Sequence, residues 1–212
     1  MITDPARHAA LQAVLEEARS AGFLGPGPVE PHIEHALAFV GDLAAPALAL
    51  DLGSGAGVPG LALAWLAWPD SHWVLLDAGQ RRAVFLAEAI EQLGLEDRVR
   101  VVRARAEEAG RDPELRATCD LVTSRGFGPP AVVAECAAPF LRVGGQLVVS
   151  EPPGGAPSRW PAPELQVLGL EPALEGANEA PSGPAMARFI LATPCPDRYP
   201  RRVGIPAKRP LF

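Results

Sequence analysis

Residues 51–61 read DLGSGAGVPGL, with four glycines in the eight positions from Gly53 to Gly60, directly after the apolar run ALAL at 47–50. A strand that ends in glycines and then opens a helix brings backbone N–H groups close to a ligand. Nicotinamide, flavin, nucleotide and S-adenosylmethionine (SAM) sites all use the device, so the loop points to a fold before it points to a ligand. Outward from it, strand-like runs recur at 47–51, 73–77, 99–103, 120–124 and 146–150, with helix-like segments at 58–68, 81–93 and 130–141. This alternation predicts a doubly wound, mostly parallel α/β sheet, covered on both faces by right-handed crossovers, with ligands beyond the carboxyl ends of its strands. A weaker helix or turn at 163–168 is followed by 170–174 and 186–192, which predict a closing antiparallel pair across the polar loop 175–184.

The 212 residues, 48% hydrophobic, suffice for one core with small additions. Leu11, Val14, Leu15 and Ala18, then Ile33, Ala36, Leu37 and Val40, recur at helical spacing and predict two amphipathic helices. The expected organisation is therefore a helical cap (1–43), a ligand-binding α/β domain (44–195) and a basic tail (196–212). The longest apolar-looking run, 61–69, is too short to span a bilayer, and the N-terminus lacks a basic region followed by an apolar one, which predicts a soluble cytoplasmic protein. Cys119, Cys136 and Cys195 are widely spaced and read as buried thiols; His32 and His35 share a helix face without a third ligand, so no metal site is expected.

The net charge of −6 speaks against a general nucleic-acid binder. Its distribution says more. Residues 198–212, RYPRRVGIPAKRPLF, hold Arg198, Arg201, Arg202, Lys208 and Arg209 and no acid. Such a tail suits a phosphate backbone, and its prolines would keep it extended; the plainer reading is a solvated terminus.

Residues 55–60 satisfy G-x-G-x-x-G and Asp77 lies 20 residues past Gly57, as in dinucleotide sites. Against that, hydride transfer ordinarily needs a substrate domain for which little chain remains, and Asp51 before the glycines would repel pyrophosphate. SAM has an ammonium, a ribose diol and an adenine but no phosphate. Asp51 suits the ammonium, Asp77 the ribose hydroxyls, and residues 105–108 lie where adenine would sit. The plainer role for Asp77 is to cap the helix that begins near Gly79.

DLGSGAGVPGL, LLDAGQRRAVFL (75–86), RARAEE (103–108), DLVTSRGFG (120–128) and YPRRVGIPAKRPL (199–211) together resemble the bacterial family of 16S rRNA guanine-N7 methyltransferases, also called glucose-inhibited division protein B. The match runs over residues 29–211, and VPG and PRR-x-GIPAK-x-PL are its most specific parts. The resemblance implies a class I SAM-dependent methyltransferase with a Rossmann-like sheet. It implies SAM contacts at Gly53 and Val58, beside Gly55 of the glycine pattern, an adenine-flanking pair Ala106 and Glu107, and a site arginine, Arg125, in Ser124-Arg125-Gly126. It implies 16S rRNA or the 30S subunit as partner, with Arg201, Arg202, Lys208 and Arg209 as the candidate RNA contacts.

Guanine N7 carries an in-plane lone pair and needs no general base, so catalysis would rest on alignment, and no residue is assigned as catalytic acid or base. Cytosine C5 methylation would need a cysteine at the site. Amine methylation commonly uses an Asp/Asn-Pro-Pro-aromatic turn, and this chain has SRGFGPP instead. The chain departs from the family in lacking its Asn-Leu-Thr motif, in keeping only His32 of Arg-His-x-x-Asp-Ser, and in placing Glu151-Pro152 where the family has Lys-Gly. An acid there would repel RNA phosphate. The alternatives are a paralogue acting on another RNA or a small molecule, and a SAM-binding protein without methyl transfer.

Overall fold

The computed structural model describes residues 4–153, 157–173 and 184–212. Its centre is a seven-stranded sheet made of β1 (Leu48–Leu52), β2 (His72–Leu76), β3 (Val99–Val102), β4 (Cys119–Ser124), β5 (Leu141–Ser150), β6 (Leu170–Pro172) and β7 (Met186–Leu191). The order is β3-β2-β1-β4-β5-β7-β6. The first five strands are parallel, while β7 runs antiparallel to both β5 and β6. The order reverses at β1, between β2 and β4, which opens a crevice at their carboxyl ends. The expected closing pair is present; Leu174 and nearly all of the loop 175–184 lie outside the described residues.

Side chains alternate along the strands, so the two faces build separate cores. Ala49, Trp73 and Leu75 face α1 (Pro5–Ser20), α2 (Glu30–Leu37), α3 (Gly60–Ala62) and α4 (Gln80–Gln92). Leu50, Leu52, Val74 and Leu76 face α5 (Ala106–Ala109), α6 (Pro130–Ala137) and α7 (Ala162–Gln166). In α1 the stripe Leu11, Val14, Leu15 and Ala18 is wholly buried, and burial of each larger side chain contributes roughly 1.5–3 kcal/mol. The Asp4 carboxylate caps this helix by accepting the Ala6 N–H at 2.9 Å.

Three elements differ from the sequence expectation. The helix at 58–68 is α-helical only over Gly60–Ala62 and widens into a π turn at Leu63–Ala67. There Arg98 donates to the Ala64 carbonyl at 2.8 Å, taking that oxygen for a side chain. The helix at 130–141 stops at Ala137 and tightens into a 3₁₀ turn, Ala138–Phe140, because Pro139 brings no N–H. Strand β5 begins at Leu141 rather than 146: Cys119 pairs with Leu141 and Leu121 with Gln146, and the surplus residues bulge around Gly144, whose φ is +83°.

No helix among the described residues is long and apolar enough to cross a membrane.

Candidate active site

The glycine loop closes on itself. The N–H groups of Gly53 and Ser54 both donate to the Leu76 carbonyl (2.9 and 3.0 Å), that of Gly55 to Asp77 Oδ2 (3.0 Å), that of Gly57 to the Ser54 carbonyl (2.7 Å), and that of Gly60 to Asp51 Oδ2 (3.0 Å). With these five donors turned inward the loop has few N–H groups left for a pyrophosphate, which speaks against the dinucleotide reading. At Gly60 an added Cβ would stand 2.5 Å from Asp51 Cβ, so this glycine lets the helix start against the strand end.

Asp51 corrects an expectation. Its side chain does not reach the cavity; it is 1% exposed, and its other oxygen accepts from the Thr123 hydroxyl at 3.0 Å. Burial pushes this carboxyl up to about 6, against the pull of the Gly60 N–H and the Thr123 hydroxyl. It braces the loop instead of meeting an ammonium.

Above the loop lies a cavity of about 770 Å³ bordered by Gly53, Gly55, Val58, Asp77, Ala106, Glu107 and Arg125, that is, by every sequence-proposed cofactor residue except Asp51. Asp77 carries two functions at once. It accepts from the Gly79 N–H at the entry to α4 (2.7 Å), from Gly55, and from Arg82 Nε (2.9 Å), and it still lines the cavity. Burial alone would push its carboxyl up; Arg82 and the two amides hold it below the usual range. Arg82, which also lines the cavity, was not foreseen.

Arg125, just past β4, bonds through Nη2 to His32 Nδ1 at 2.8 Å, while Nη1 is buried without a partner among the described residues. Because the guanidinium can only donate, Nδ1 of neutral His32 accepts and its proton sits on Nε2. His35, one turn on, pairs with the Ser150 hydroxyl at 2.8 Å, so α2 is fastened to the carboxyl ends of β4 and β5. Burial, then the Arg125 charge, lowers both histidines, His35 to about 4.

The basic tail is also corrected. It is folded, not extended: α8 (Ile205–Lys208) contains Pro206, and Leu211 and Phe212 pack against the core. Arg201 grips wholly buried Glu135 through Nε (2.9 Å), Nη2 (2.6 Å) and its backbone N–H (2.8 Å), which commits its charge within the fold. The Gly204 N–H donates to Glu107 Oε1 at 2.9 Å, and Ala207 lines the cavity. Arg202, Lys208 and Arg209 are exposed and make no ion pair among the described residues.

Phe127 and Cys136 also line the cavity. Burial, reinforced by Glu107 and Glu135, pushes the Cys136 thiol far up, so it is no nucleophile. Phe127 lies over Gly53, where an added Cβ would fall 2.6 Å from its ring. The G-F-G context in SRGFGPP marked this side chain in the sequence, though no role had been attached to it. Glu151, the acid expected to repel RNA phosphate, has that charge offset by Arg159 and accepts from Trp160 Nε1 at 3.1 Å.

The residues present fit SAM. Val58, Leu76, Ala104 and Ala106 supply apolar wall for an adenine, and Asp77 and Glu107 supply carboxylates for hydroxyl or ammonium groups.

Residues 29–151 match the model of the family described as rRNA small subunit methyltransferase G. Among curated proteins, ribosomal RNA small subunit methyltransferase G of Prochlorococcus marinus is 36% identical, covering 76% of this chain and 66% of that protein. The Roseiflexus castenholzii protein of the same name is 39% identical, over 79% of this chain and 72% of its own length. The chain thus spans about two thirds of the length of the curated relatives it matches. Among solved structures, a putative O-methyltransferase from Klebsiella pneumoniae superposes with a TM-score of 0.59 at 16% identity, covering 90% of this chain and 91% of that one. The Bacillus cereus O-methyltransferase in complex with S-adenosylhomocysteine (SAH) gives 0.58 at 15%, covering 86% and 90%. At such identities these two show the fold alone, that of a class I methyltransferase.

Proposed function

Since this chain belongs to the rRNA small subunit methyltransferase G family, we propose that it transfers the methyl group of SAM to N7 of a guanine in 16S rRNA, presented within the 30S subunit or its precursor. The observation that supports N7 chemistry best is that the carboxylates, histidine and thiol described at the cavity each already serve the fold or stay protonated, which suits a reaction that needs no base. Asp77 is tied to Arg82 and two amides, Glu107 accepts from Gly204, neutral His32 presents an N–H, and Cys136 stays protonated.

SAM supplies an electrophilic methyl on a sulfonium when bound. The N7 lone pair attacks that carbon in line, the methyl–sulfur bond breaks, and its electron pair stays on sulfur. No proton moves, so the protein's contribution is placement. Asp77 and Glu107 would hold the donor's polar groups, Gly53 leaves room for Phe127 over the loop, and Arg125 is a positioning residue shared by the cap and the sheet. Arg202, Lys208 and Arg209 supply the cations for RNA phosphate.

The test is methyl transfer from labelled SAM to 30S subunits or 16S rRNA lacking the modification, with the product base mapped. Label at N7 of one guanine is expected. SAM binding without transfer favours a binding protein; label elsewhere favours a paralogue.

A further inference from the structure

A second cavity, of about 340 Å³, abuts the first; Arg125, Gly126, Phe127 and Gly128 form the shared wall. Glu151, Arg159 and Trp160 line it as well. The Glu151 side chain is only 8% exposed. Among the described residues one of its oxygens takes Arg159 Nη1 and the other Trp160 Nε1, which leaves each oxygen a further lone pair.

We infer that this second cavity receives the acceptor base and that Glu151 selects guanine by accepting from N1–H and N2–H. The inference rests on the methyl-transfer reading above. Guanine alone among the four bases presents two adjacent donors on its pairing edge, and a carboxylate presents two adjacent acceptors. Phe127 and Trp160 are flat walls of the right kind for an unstacked purine. The pairing edge and N7 lie on opposite sides of the purine. A guanine held at Glu151 by its pairing edge leaves N7 free, and the methyl reaches it where the two cavities meet, at the residues 125–128 that line both. Arg159 and Trp160 act through Glu151, holding its carboxylate in place.

The test compares 16S rRNA assembled by ligation with guanosine or inosine at the position mapped in the transfer assay, since inosine lacks the 2-amino group. A charge-assisted hydrogen bond lost in this way lowers kcat/KM about 10- to 100-fold for the inosine RNA with the wild-type protein. Glu151→Gln, which puts an amide N–H against the base donors, is expected to slow the guanosine RNA by a similar factor and to bring the two RNAs to near equality. SAH affinity stays unchanged. A variant that keeps the wild-type preference overturns the inference. Should Glu151→Gln lose SAH binding through misfolding, the wild-type ratio decides by itself, and a ratio near one overturns the inference. A wild-type protein inert on the guanosine RNA removes instead the methyl-transfer reading on which the inference stands.

Discussion

Two opposite walls of the donor cavity are built from the same chemical device. At the glycine loop, Asp51 accepts the Gly60 N–H and Asp77 accepts the Gly55 N–H; at the C-terminal segment, Glu135 accepts the Arg201 N–H and Glu107 accepts the Gly204 N–H. The loop clamps join residues 9 and 22 positions apart, while the tail clamps span 66 and 97. The loop is thus held by neighbours in sequence. The tail is held only when the rest of the fold is already in place.

Breaking the long-range clamp has the largest expected effect. Arg201→Ala strands the Glu135 carboxylate in the interior and is expected to cost about 3–5 kcal/mol, read by chemical denaturation. Little change would mean that the tail is not a clamp. The local clamp comes next. Gly60→Ala drives a methyl against Asp51 and Leu75 and is expected to cost about 1–3 kcal/mol, with SAH affinity lowered as the loop shifts.

A pH series sharpens the comparison further. Asp51, raised in the fold to about 6, contributes stability that is present at low pH and is lost as the pH rises through 6. His35, lowered to about 4, does the reverse, and its contribution is lost as the pH falls from the ordinary histidine range toward 4. The two slopes oppose each other between about pH 4 and 6. In His35→Gln one of the contributions opposing Asp51 is gone, so the pH slope of the melting temperature over that window should shift in the negative direction relative to the wild type; parallel curves would remove His35 from the account. The smallest stability effect belongs to Arg202→Ala with Lys208→Ala. These exposed cations should change stability by less than about 0.5 kcal/mol while reducing the salt slope of 16S rRNA binding by about 1–2.

The same contrast explains what was legible in the sequence. Strand positions, the sheet type and the apolar stripe of α1 follow from periodicities within a window of a few residues. The residues bordering the cavity follow from strand ends, and seven of the eight proposed cofactor residues line it. Asp51 was misread because a carboxylate at a strand end looks the same whether it faces a ligand or a glycine amide; only Gly60, placed to receive it, carried a clue. Arg201 was misread as a free cation because its partner, Glu135 on α6, lies 66 residues away. Phe127, Arg82 and the pairing of Glu151 with Arg159 likewise depend on where loops return, which spacing alone does not encode.

The hydrogen bond from Arg125 to His32 sets an order of events during synthesis. The cap helix leaves the ribosome first, but its anchors, Arg125 and Ser150, follow 93 and 115 residues after their histidines. At roughly 5–20 residues per second, α2 waits several seconds with no sheet edge to dock on. The Gly204 N–H that meets Glu107 lies 97 residues further on, so the donor cavity is complete only once that later segment has been made and has folded back.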